Sequence, residues 1–332
     1  MPLDKTGKAN RSMADNRQFT VSIVKDLVYA SPSGKPLLAD IYLPQNTEKP
    51  PRLILWLHGG GWRFGDRRLG PDLSRHFAER GFAMASIDYR LSTEAIFPAQ
   101  IQDVKTAIRW LRSIASRYGL DGSRLGLWGS SSGGHLAALA ATSKAGTFEE
   151  GEIEYPEHAS GVQAVVDGYG PVDFLQMDGH RDPSGKPSDD PESIQLPPGA
   201  NSASPDSLES LFLGAPIQSC PQLVRDANPI TYVRSGVAPF YILHGTSDTA
   251  VPAHQSELLY EALAAHGNDV TLCLIEGLGH GFLNRNNFDQ GPAKRVTVRH
   301  RTLGIEQVAD KPPATFQSIE NFFRKHLYSD GA

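Results

Sequence analysis

The sequence predicts an α/β protein, with a mostly parallel sheet of eight strands and helices on both of its faces. Three observations carry this. Short runs of β-type apolar residues alternate with helical stretches along most of the chain. The run at 53–57 (Leu-Ile-Leu-Trp-Leu) is apolar at every position, as a strand covered on both faces must be. Several runs end at glycine-containing turns, where the chain leaves a sheet edge. Right-handed crossovers between the parallel strands follow by default.

In chain order, runs at 19–29 and 36–43 read as strands ahead of the fully apolar one. A helix over 73–79 and a strand over 82–87 precede a long amphipathic helix over 98–118. There Ile101, Val104, Ile108, Leu111, Ala115 and Tyr118 recur at spacings of three and four and make one buried stripe. Lys105, Arg109 and Arg112 face elsewhere, and Pro98 suits a helix start. A strand at 125–128, an Ala-rich helix over 136–141, strands at 162–166 and 240–243, a helix through 258–263, a strand at 270–275 and a terminal helix over 316–327 complete the alternation.

Two stretches interrupt it. Residues 178–205 hold six Pro and three Gly, which leaves little room for regular structure. Residues 284–312 also exceed an ordinary connection, with a β-like alternation at 295–300. The domain reading is therefore a polar extension at 1–18 and one α/β domain over 19–332, with lid-like insertions near 172–237 and 284–312. Deleting the second insertion is expected to change substrate preference more than stability.

At 332 residues with 39% apolar and 21% charged side chains, the chain has material for a large core and an ordinary wetted surface, which excludes wholesale disorder. Its 32 Lys and Arg against 37 Asp and Glu give a net charge of −5, so no basic footprint marks a nucleic-acid or anionic-lipid partner. Cys220 and Cys273 stand far apart, which excludes a disulfide scaffold and gives no zinc-ligand spacing. No segment approaches the roughly 18 apolar residues of a membrane span, and the polar start lacks a signal-peptide core, so the expected location is cytoplasmic. The expected partner is a small molecule. Monomer and homo-oligomer are both open.

The sharpest motif is Gly129-Ser130-Ser131-Ser132-Gly133, set between a strand and a helix. A turn that tight strains the central residue and leaves no room for Cβ two positions before and two after it. Among the three serines only Ser131 has glycine at both flanks, which makes it the candidate nucleophile. A packing turn is the plain alternative. The second motif, His58-Gly59-Gly60-Gly61-Trp62, follows the apolar strand. Its glycines let backbone N–H groups face a ligand, and with the N–H of Ser132 at a helix start they make a candidate oxyanion hole from Gly60, Gly61 and Ser132. A dinucleotide turn would need glycine where Phe64 stands. His58 reads as a structural anchor of this loop.

A serine needs a base, and the base an orienting acid. His280, in Gly277-Leu278-Gly279-His280-Gly281-Phe282, follows the last strand of the alternation. Asp248, in His244-Gly245-Thr246-Ser247-Asp248, follows the strand at 240–243, although a turn or helix cap would use an Asp there too. Ser131, Asp248 and His280 thus each follow a core strand at the edge where α/β proteins place ligands. Trp62 and Tyr169 are candidate substrate-binding residues, each equally compatible with the core. Nucleophile, base and charge stabiliser all come from the chain, so no metal or organic cofactor is expected.

With these segments, together with Asp88-Tyr89-Arg90-Leu91, Tyr169-Gly170-Pro171-Val172-Asp173 and Val251-Pro252, the sequence resembles the α/β-hydrolase superfamily over nearly all of 19–327. Within it the chain is similar to hormone-sensitive-lipase-like carboxylesterases and to bacterial acetylxylan and feruloyl esterases; Trp62 and the Tyr169 segment point to the second group. The resemblance implies an α/β-hydrolase fold and a serine carboxylesterase. Its expected substrates are esters of short acyl groups, among them acetyl or hydroxycinnamoyl groups on carbohydrate. An amide hydrolase, kynurenine-formamidase-like or aminopeptidase-like, shares the same logic. So does a binding protein on the same fold, against which the intact Ser, His and Asp count.

Overall fold

The structure is a computed structural model and describes residues 18–149, 154–181, 193–195, 200–290, 294–302, 305–309 and 314–328. The polar extension expected at 1–18 falls almost entirely outside these, as do residues 182–192 of the Pro-rich stretch.

Among the described residues ten strands form one sheet: β1 (Val21–Ala30), β2 (Leu37–Pro44), β3 (Arg52–Leu57), β4 (Ala83–Ile87), β5 (Asp121–Ser130), β6 (Ala164–Gly168), β7 (Phe240–Gly245), β8 (Val270–Ile275), β9 (Val296–Thr302) and β10 (Ile305–Ala309). Their spatial order is β1-β2-β4-β3-β5-β6-β7-β8-β9-β10. The six strands from β4 to β8 run parallel, and antiparallel pairs extend the sheet at both ends. The helices are α1 (Leu73–His76), α2 (Ala99–Ile114), α3 (Ser132–Thr142), α4 (Met177–His180), α5 (Leu208–Leu213), α6 (Pro221–Ala227), α7 (His254–Ala265) and α8 (Phe316–Tyr328).

Strand alternation divides the core in two. Leu53, Leu55 and Leu57 of β3 enter a cluster with α2, α3 and α7 through Ile101, Leu136 and Leu259. Ile54 and Trp56 point the other way, into a cluster with Phe77 and with Ile319 and Phe323 of α8. Both faces of the parallel block are therefore buried, which explains the unbroken apolar run at 53–57. The fold is the α/β-hydrolase fold.

Two expectations change and one is completed. The sheet has ten strands rather than eight, because the stretch expected as a lid-like insertion at 284–312 supplies β9 and β10. β9 pairs with β8 from Val270↔Arg301 to Ile275↔Val296, and Val296 and Val298 are buried in the second core cluster. The β-like alternation reflects a strand with one apolar face, and pairing it satisfies backbone groups that β8 would otherwise leave open at an edge. In α2, Lys105 and Arg109 lie off the apolar stripe, as read, and are buried there. The segment after α3 covers them: Lys105 Nζ donates to the carbonyls of Lys144 and Thr147 at 2.8 and 2.9 Å, and Arg109 donates to Glu154 O and pairs with Glu149. Third, the described part of 172–237 is not a separate flap, since Phe174, Met177, Phe212, Ile217 and Val224 belong to the first core cluster.

Candidate active site

The parallel strands deliver the candidate residues to one edge of the sheet. Ser131 follows β5 directly and precedes α3, with φ 55° and ψ −124°, a strained conformation for a residue with Cβ. The turn closes because its flanks are glycines. A Cβ on Gly129 would lie 2.2 Å from the Gly133 carbonyl oxygen, and one on Gly133 would lie 2.1 Å from the Leu57 oxygen. The N–H of Ser131 donates to Gly168 O at 2.7 Å, tying the turn to the end of β6.

His280 Nε2 lies 2.8 Å from Ser131 Oγ, and His280 Nδ1 lies 2.7 Å from Asp248 Oδ2. Burial pushes the Asp248 carboxyl up, but the charge of His280 and hydrogen bonds from His244 and His280 outweigh it and hold the group well below its usual range. An ionised Asp248 accepts, so Nδ1 carries the imidazole proton and Nε2 accepts from the serine hydroxyl. The other carboxylate oxygen accepts from the N–H groups of Ala250 and Val251 at 2.9 and 2.8 Å. Asp248 and His280 are buried while Ser131 is partly open, so the chain of hydrogen bonds runs from the interior to an accessible hydroxyl.

Beside Ser131 lies the loop after β3. Gly60 has φ 118°, and a Cβ there would sit 2.1 Å from the Phe64 carbonyl oxygen, so the turn admits only glycine. Gly61, at φ 60°, is touched by Leu208 of α5. Ser132 N–H is the first of α3 and by position has no acceptor within its helix. His58 is the expected anchor: its Nδ1 donates to Gly59 O at 2.6 Å, its ring stacks on Tyr89 at 4.3 Å, and its own carbonyl accepts from the Tyr89 hydroxyl. Burial pulls its pKa down.

The two candidate substrate contacts are both core residues. Trp62 is 1% exposed and stacks on Phe212 at 4.5 Å, with Phe174 and His135 against its edges. Its Nε1–H donates to His135 Nδ1 at 3.2 Å, and His135 Nε2 donates to Ala227 O. Tyr169 is fully buried, with its ring edge-on to His280 at 4.7 Å. Aromatic residues beside a motif do not announce which neighbours enclose them. Sequence reasoning also missed His244, whose Nε2 bonds Val251 O at 2.9 Å and lies 3.4 Å from Asp248 Oδ2. Its only local signal was its place four residues before Asp248. Among the described residues, no three His, Cys, Asp or Glu side chains converge to hold a metal ion, and no helix is long and apolar enough to cross a membrane.

A model of the BD-FAE family matches residues 39–263, and a model of the Dienelactone hydrolase family matches residues 215–325. Esterase LipC of Mycobacterium tuberculosis is 32% identical over 237 residues, covering 70% of this chain and 54% of LipC. The chain spans about half the length of the curated relatives it matches. Among solved structures, a truncated form of a carbohydrate esterase from gut microbiota superposes with a TM-score of 0.73 at 27% identity, covering 95% of this chain and 99% of that one. The butyrate-bound esterase Est2 of Thermogutta terrifontis superposes with a TM-score of 0.59 at 26% identity, covering 80% of this chain and 85% of Est2.

Proposed function

The chain belongs to the BD-FAE family, and from that premise we propose that it is a serine carboxylesterase acting on short acyl esters, among them acetyl or hydroxycinnamoyl groups on carbohydrate. The observation that carries the reading is the unbroken contact sequence Ser131–His280–Asp248, at 2.8 and 2.7 Å, with Ser131 held in a strained turn.

In this mechanism Ser131 Oγ attacks the ester carbonyl carbon as its proton passes to His280 Nε2. The carbonyl oxygen becomes an oxyanion that accepts from the N–H groups of Gly60, Gly61 and Ser132. Asp248 holds the imidazole in the productive tautomer and stabilises the imidazolium. As the intermediate collapses, the carbon–oxygen bond to the alcohol breaks and the Nε2 proton goes to the departing oxygen. Water then attacks the acyl-enzyme, giving its proton to His280, and the acid leaves as the serine O–H is restored.

The preference for short acyl groups draws on the packing behind the glycine loop, where Trp62, Phe174, Phe212 and His135 meet ring on ring and Leu208 lies against Gly61, leaving no long apolar channel among these residues. The carbohydrate side of the reading draws on the likeness to the gut carbohydrate esterase across nearly the whole of both chains.

The test is an ester panel varying acyl length and alcohol, run beside a fluorophosphonate that labels activated serines. Acetyl esters are expected to outrun octanoyl esters, and Ser131→Ala should lose the label and at least ~10³-fold in kcat. Label on another residue, or unchanged turnover by the alanine variant, would end the reading.

A further inference from the structure

The proposed base sits on a loop, and loops are the mobile parts of such a fold. Yet the segment after His280 is tied to the strand that carries Ser131 by buried polar groups that the mechanism above does not use. Leu283 N–H donates to the Tyr169 hydroxyl at 3.1 Å. Ser130 Oγ donates to Asn284 Oδ1 at 2.9 Å. Two hydrogen bonds thus join the His280 loop to the sheet edge that carries Ser131. They meet the loop at its adjacent residues Leu283 and Asn284, and the second leaves from the residue preceding Ser131.

Packing reinforces the tie. The ring of Tyr169 meets those of His280 and Phe282 at 4.7 and 4.8 Å. The Leu283 side chain fills the space over Gly168, where a Cβ would lie 2.2 Å from Leu283 Cδ1. Tyr169 itself is held at φ 44°, with its N–H on Leu243 O at 2.8 Å. A tyrosine kept in the left-handed region and wholly buried must be fixed by its surroundings, and its buried hydroxyl accepts from Leu283 N–H.

From this geometry we infer that Tyr169, Ser130 and Asn284 are positioning residues, two ties that set the His280 imidazole at attack distance from Ser131. The inference rests on the hydrolytic reading above. A base displaced by even an ångström loses rate without losing substrate affinity, so the ties act on kcat and leave KM in place.

The test compares Tyr169→Phe, Ser130→Ala and Asn284→Ala with Asn284→Asp, which keeps the acceptor oxygen. Measured per phosphonate-titrated site on an acetyl ester, the first three are expected to lose about 10-fold to 100-fold in kcat with KM within about twofold of wild type. Their phosphonylation rates at Ser131 should fall in proportion, and Asn284→Asp should recover most of the rate that Asn284→Ala loses. Variants that lower only the melting temperature, with kcat per site within about twofold of wild type, would overturn the positioning role while leaving the hydrolytic reading intact. Wild-type protein that is not labelled at Ser131 would overturn both. If Tyr169→Phe fails to fold, the smaller Ser130→Ala change and the Asn284 pair decide the question alone.

Discussion

Ser131 sits where a side chain is least welcome, at φ 55° and ψ −124°, a conformation that costs about 1–3 kcal/mol and persists because β5, α3 and the Gly168 carbonyl fix its neighbours. That demand was legible in the sequence, since the collision two residues away from Ser131 is local and only glycine avoids it. The fates of Trp62 and Tyr169 were not legible. Their burial is imposed by Phe174 and Phe212 on Trp62 and by His280 and Leu283 on Tyr169, each more than 100 residues away in the chain. His135 shows the same dependence and carries a prediction. Burial pushes its pKa from 6.5 down to about 4, so the folded ring stays neutral where the unfolded ring takes up a proton. Its contribution to stability is therefore complete above pH 6.5 and declines as pH falls toward 4, by up to about 3 kcal/mol. In urea titrations across that window, His135→Gln should lose less stability with acidification than wild type. Equal losses would refute this.

Among elements, the lesson lies in β9. Its alternation was visible at 295–300, but a lone alternating run gives no sign of which edge it joins. Pairing with β8 decides that, and turns an expected lid into part of the sheet. Val298, 5% exposed in the core cluster shared with Phe323, should therefore matter to stability: Val298→Ala is expected to cost about 2 kcal/mol in denaturant unfolding while leaving the ratio of acetyl to butyryl ester turnover unchanged. A change in that ratio with stability intact would restore the lid. Helix α2 teaches the converse point. Its apolar stripe was read correctly from spacing, which set Lys105 and Arg109 off that stripe without showing what receives them. The carbonyls of Lys144, Thr147 and Glu154 that satisfy them come from a loop roughly 40 residues downstream.

For the whole molecule, the described helices of the 172–237 segment share one core with β3, α2 and α3, so they have no separate hydrophobic centre to fold around. Calorimetry should accordingly record a single unfolding transition, with far- and near-ultraviolet dichroism changing together; a separate early transition would mean that this segment melts independently. The sequence by itself determined the strand and helix alternation, the glycine-flanked turn at Ser131, and the order in which Ser131, Asp248 and His280 follow their strands. These depend on period, local sterics and chain order, all of which are written in one dimension. Tertiary structure alone decided that His280 reaches both Ser131 and Asp248, that Trp62 and Tyr169 are enclosed, and that β9 closes against β8. Each of these is a contact between residues far apart in the chain, and its existence is fixed by how the layers pack.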